Sequence, residues 1–195
     1  MYQEPVPDCG WEVHIAKRDY PAALDSIERT ELDSEFIGIP DSELNRIFTY
    51  WLMQDKDALA QGMAKWKSQT QDVRDDTGAY RNARAYIGLA LLSGINGNNS
   101  ESMQYVQQWY RDKPIDWAHR MAFRHDSCRI LGMIEATTVA VKCIRDGLEQ
   151  ASFMAPFLEP YLPFYDSIRN EPEFIELLTE IDGDNPSELN QQQDS

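Results

Sequence analysis

Apolar side chains recur at i, i+3, i+4 and i+7 along most of the chain, and no long stretch alternates with the two-residue period of a strand. A chain patterned this way buries its apolar surface by packing helix on helix. Leu44, Ile47, Phe48 and Trp51 form one such stripe, Leu59, Ala60, Met63 and Trp66 a second, and Ala83, Tyr86, Ile87 and Ala90 a third. Ala118, Met121, Ala122, His125 and Cys128 continue the series. The longest stripe is Ala136, Val139, Ala140, Cys143, Ile144, Gly147, Leu148 and Ala151, whose small residues allow another helix to approach closely.

Cap and turn residues cut these stripes into separate helices. Asp19 and Pro21 open one over about 21–32, and Pro40, Asp41 and Ser42 open the next, which stops near Gln54. Asp55 or Lys56 starts another, followed by a polar loop over 69–78. Further helices are predicted over about 80–93, from a Ser100 cap to before Pro114, and from there to about 131, closed by Gly132. The last two span about 136–151 and 171–181, the second behind Asn170, while 35–39 reads as an extended linker.

The helices come in pairs, and the pairs repeat. Ala23, Ala60, Ser102 and Ala140 recur at separations of 37, 42 and 38 in the second helix of each pair. An amphipathic pair cannot cover its own apolar faces, so neighbouring pairs must stack. In the third pair Tyr86, Leu89, Ala90, Ser102, Val106 and Pro114 follow the aromatic, leucine, small, small, bulky, proline order of tetratricopeptide (TPR) repeats, which the pattern resembles. The expected fold is all-α, a right-handed α-solenoid of about four TPR-like helical hairpins over 11–151. Residues 152–181 form an aromatic and proline-rich cap with a final helix in the same domain. The polar, Gln-rich residues 182–195 form a disordered tail.

The cap has a more particular likeness. Pro163, Phe164, Asp166, Arg169, Pro172 and Phe174 resemble the Pro-Phe-Asp-x-x-Arg-x-x-Pro-x-Phe stretch that closes TPR regions of bacterial signalling proteins, with Tyr165 as one extra residue. That ending is found on ToxR/CadC-type membrane-anchored transcription regulators, and on some adenylate cyclases and kinases. The resemblance implies a non-enzymatic sensor or interaction domain of a larger chain, periplasmic if the parent is of the CadC type. A cytoplasmic TPR adaptor, a cyclase or kinase C-terminal region, and an enzyme with a helical cleft are the alternatives.

Charge narrows the partners. The chain carries 18 Lys+Arg against 33 Asp+Glu, a net charge of −15, which would repel a phosphate backbone or an anionic membrane. No apolar run is long enough to span a bilayer, and the first ten residues lack the basic and apolar regions of a signal peptide. His119 and His125 are six apart, the wrong spacing for two ligands on one helix face, and neither a metal site nor a cofactor motif is expected. Cys9, Cys128 and Cys143 lack zinc spacing. In a hairpin turning near Gly132 to Glu135, Cys128 and Cys143 are staggered by about four residues, or about 6 Å. Bridging requires Cα atoms within about 7 Å, so all three thiols are expected to be free.

One constellation points to binding. In TPR-like stacks the first helix of each pair lines a concave face, and Asn45, Thr49, Arg84, His125 and Arg129 fall at those positions. Two arginines and a histidine inside an acidic molecule would accept a carboxylate or phosphate. The expected ligand is therefore a protein, a peptide or a small anion, with a second copy of the chain as a further candidate partner. The competing reading ties Arg84 and Arg129 to neighbouring carboxylates instead.

Overall fold

The computed structural model describes residues 10–33, 42–71, 79–112, 117–149, 154, 155 and 157–183. The described residues are helical and contain no strand. They form α1 (Gly10–Ala16), α2 (Tyr20–Asp33), α3 (Ser42–Met53), α4 (Lys56–Gln71), α5 (Ala79–Ile95), α6 (Asn99–Asp112), α7 (Trp117–Met133) and α8 (Thr137–Glu149). Two single 3-10 turns, Glu159–Tyr161 and Pro163–Tyr165, lead to α9 (Pro172–Gly183). The predicted linker over 35–39 and most of the predicted loop and tail lie outside the described residues. None of these helices is long and apolar enough to cross a membrane.

Helices α1 to α8 pair in sequence as four antiparallel hairpins, and every hairpin turns by the same device. Arg18, Gln54, Gly97 and Glu135 adopt positive φ of 58°, 58°, 77° and 59°. Their amides donate to the carbonyls of Ile15, Trp51, Gly94 and Gly132, three residues back. The next amides reach five back, to His14, Tyr50, Ser93 and Leu131. This double bonding is a Schellman cap, which satisfies the carbonyls a helix end leaves open. The residue after each left-handed one opens the second helix: Asp19, Asp55, Asn98 and Ala136 accept from the amides of Ala23, Leu59, Ser102 and Ala140. Asp19 and Asp55 add side-chain caps of 3.2 Å to Ala22 and 3.1 Å to Ala58.

Several predicted boundaries shift under this turn geometry. Asn98, not Ser100, holds the cap position of α6, and Glu171, not Asn170, accepts the first amides of α9. In the second hairpin Leu59, rather than Ala60, is the counterpart of Ala23, Ser102 and Ala140. Gly132 does not end α7. It lies inside the helix, where a Cβ would come within 2.5 Å of the Tyr165 ring and 2.8 Å of the Phe164 carbonyl. The second 3-10 turn therefore crosses α7 at the one place where it has no side chain.

The turn at Glu135 also corrects the cysteine reading. It centres the α7–α8 hairpin about two residues later than a turn midway between Gly132 and Glu135 would, and each residue of lateness moves the facing position by two. Cys128 then stands level with Cys143, at a Cα separation of 5.5 Å, and the two form a disulfide. Along α8 the same offset leaves Val139 44% exposed and buries Val141. Thiol titration of the unfolded, unreduced chain should therefore count one free thiol, not three. Closing a loop of 15 residues stabilises by about 3 kcal/mol in the chain-entropy account, so reduction should lower the denaturation midpoint accordingly.

Candidate functional site

Side chains of α1, α3 and α7 meet the 3-10 segments around one aromatic cluster. Trp11, Phe48 and Phe164 have ring centroids 5.1 to 6.3 Å apart, and all three are buried. Trp11 donates its indole N–H to Thr49 Oγ1 at 2.9 Å, and Thr49 donates in turn to the Asn45 carbonyl at 2.7 Å. A hydroxyl in mid-helix commonly bonds back four residues. Here that bond leaves the oxygen lone pairs free to hold the tryptophan.

Arg129 enters this cluster from α7. Its guanidinium is 2% exposed and lies 5.2 Å from the Trp11 ring centroid and 5.8 Å from that of Phe164. Nε and one terminal nitrogen fork onto the Glu159 carboxylate at 3.0 and 2.8 Å, and Tyr165 donates to the same carboxylate at 2.8 Å. Glu12 and Asp126 each place a carboxylate oxygen 3.6 Å from the guanidinium. Burial opposes charge on both partners, yet mutual attraction prevails. Glu159, aided by His125 and Tyr165, titrates below the usual carboxylate range, and Arg129 is held well above the usual guanidinium value.

His125 lies one turn away, with Nδ1 3.7 Å from Glu159 Oε2. Burial, and then repulsion from Arg129, outweigh the attraction of Glu159 and Glu12 and lower its pKa. It therefore rests as a neutral imidazole beside a carboxylate whose Oε1 already accepts from Arg129 and Tyr165 and whose Oε2 accepts from Arg129. Of the five residues predicted to line a groove, Thr49, His125 and Arg129 converge at this cluster and Asn45 supplies a carbonyl to it. The Arg84 side chain lies outside the described residues. Arg129 spends its fork on Glu159 of the same chain rather than presenting it to solvent. Among the described residues, no three His, Cys, Asp or Glu side chains gather as a metal site.

Glu159, Trp11 and Glu12 went unread in the sequence, and Tyr165 was read only as an extra residue of the cap. A usable signal existed for Glu159: it is the one charge between Phe157 and Tyr165, and a lone carboxylate in so apolar a run needs a buried cation.

A separate cleft of about 400 Å³ opens where the turns of the first, second and fourth hairpins approach the cap. Arg18, Gln54 and Glu135 line it from those turns, and Asp166 and Ser167 from the cap. Its apolar wall includes Tyr20, Trp51 and Met133. Arg18 bonds Asp166 at 2.5 Å across the cleft, with side chains 55% and 40% exposed, and Asp166 is also held by Arg169 at 3.2 Å.

Comparison with family models, with curated proteins and with solved structures finds no match to this chain.

Breaking the two ion pairs should have unequal effects. Glu159→Gln strands a buried guanidinium and should cost about 3–5 kcal/mol, whereas Arg18→Ala removes an exposed pair and should cost under about 1 kcal/mol. Urea unfolding of the two variants measures the difference. His125 and Glu159 both bind protons more weakly folded than unfolded. Their contribution is therefore complete above the unfolded pKa values and declines as pH falls, first below about 6.5 and then below about 4.5. A pH series of unfolding midpoints should show both phases, and His125→Gln should remove the upper one.

Proposed function

We propose that the chain is a non-catalytic recognition domain, a solenoid of four TPR-like hairpins with a C-terminal cap, belonging to a larger bacterial signalling protein of the CadC/ToxR type. The observation that carries this reading is the turn used four times over, at Arg18, Gln54, Gly97 and Glu135. Four hairpins closed by one hydrogen-bond pattern are what a duplicated structural unit produces, and stacked units of this kind serve as binding scaffolds. The Cys128–Cys143 bridge supports an oxidising compartment, the periplasm in a Gram-negative cell.

The inner face, where a solenoid ordinarily receives its ligand, is filled here by Glu159, Phe164 and Tyr165, all buried. Recognition therefore moves to the rim, and the cleft between the turns and the cap is the proposed site. Its volume falls within the range of about 300–1,000 Å³ typical of ligand pockets, and its walls combine charged, amide and aromatic groups.

Thermal-shift screening of metabolites and short peptides tests the reading, with Ser167→Trp as a variant that plugs the cleft from an exposed position. A ligand at a hundred times its Kd adds about 2.7 kcal/mol, which is several degrees of Tm. The expected result is at least one ligand that raises the Tm of the native chain and not that of Ser167→Trp. A set of ligands indifferent to that replacement would sink the proposed site.

A further inference from the structure

Three hairpin turns place a residue with a Cβ in the left-handed region, and the fourth uses glycine. The three are Arg18, Gln54 and Glu135, the only non-glycine residues with positive φ among those described. All three line the rim cleft. The exception, Gly97, is not among the residues lining that cleft, although a Cβ there would meet nothing within 4 Å. Space is therefore not what separates the glycine turn from the others.

A side chain in the left-handed region costs about 1–2 kcal/mol relative to its relaxed backbone, and glycine escapes that cost. At Arg18, Gln54 and Glu135 the chain carries the strain, and what it gains is a guanidinium, an amide and a carboxylate at the mouth of one cleft. Strain kept at several positions around a single cavity is the kind of observation from which a functional role is properly inferred.

Resting on the reading of the chain as a recognition domain, we propose that the rim cleft binds a small zwitterion with an apolar body, an α-amino acid or a dipeptide. Arg18 receives the ligand carboxylate. Glu135 and Asp166 receive its ammonium, Gln54 meets a peptide or carboxyl group as donor and acceptor, and the apolar side chain lies against Tyr20 and Trp51. The Arg18–Asp166 bridge does not block this. Both members are well exposed, and such pairs are worth at most about 1 kcal/mol, so a ligand bringing one charge of each sign can part them and leave both charges paired. A purely anionic ligand would face Glu135 and Asp166, and a purely cationic one would leave Arg18 without its partner.

Isothermal titration of the full 195-residue chain, disulfide intact, with L-leucine, L-phenylalanine, L-leucyl-L-phenylalanine and the N-acetyl and C-amide forms of that dipeptide tests the proposal. At least one of the three zwitterions should bind, and each blocked form should bind at least tenfold more weakly than the free dipeptide. Gln54→Gly and Glu135→Gly should lower affinity at least tenfold while holding or raising Tm, because each relieves left-handed strain. Gly97→Gln should do the reverse, lowering Tm and leaving affinity unchanged. Failure of all three zwitterions to bind, or binding undiminished in Gln54→Gly and Glu135→Gly, overturns the proposal. If the thermal screen yields ligands that Ser167→Trp excludes but that lack paired charges, the ligand class is wrong and the recognition domain stands. If the screen yields only ligands indifferent to Ser167→Trp, the cleft is the wrong site and this proposal falls with it; if it yields no ligand at all, the recognition reading falls too.

Discussion

The fork of Arg129 on Glu159 is the contact through which the two ends of the chain are held together. A guanidinium buried this deeply is tolerable only if its charge and its donors are met, and Glu159 meets them with two short bonds while Tyr165 fills a further lone pair. Because Arg129 belongs to α7, Glu159 to the cap, and the stacked Trp11 to α1, satisfying one side chain brings together the first hairpin, the fourth hairpin and the C-terminal segment. The aromatic rings on either side exclude water, which strengthens the pair and raises the cost of losing either member.

The packing of the cap is equally tight. Phe164 and Tyr165 are as buried as any core residue, and Gly132 gives them room to lie directly on α7. A segment embedded in this way is part of the core, not a removable occupant. Beside it, the turns of three hairpins present Arg18, Gln54 and Glu135 from helix ends to one cleft. Residues held in that way keep their geometry without the ordering cost that a free loop would incur.

The helical pattern was legible because each stripe needs only local information. Asp19 and Asp55 cap where their positions implied, and Asp166 pairs with Arg169 one turn on, as the spacing allowed. Thr49, His125 and Arg129 gather at one buried cluster, Thr49 through Trp11 and the other two through Glu159. What occupies the space between them is a segment 30 residues distant from Arg129 in sequence, and no periodicity reports a contact of that range. The thiols failed for a smaller reason. A turn placed two residues early displaces facing positions by a full helical turn, and Glu135, with no glycine to advertise it, is where the chain reverses.

Composition and spacing alone determined that this chain is helical, that its helices come in pairs, and that its net charge is strongly negative, because amphipathic period and net charge are properties of the chain itself. Tertiary structure decided the rest. Whether Arg129 faces solvent or Glu159, whether Cys128 meets Cys143, and which turns share a cleft all depend on the relative placement of helices. A left-handed residue shows its strain only once its φ is known, and the company it keeps only once the turns are placed beside one another.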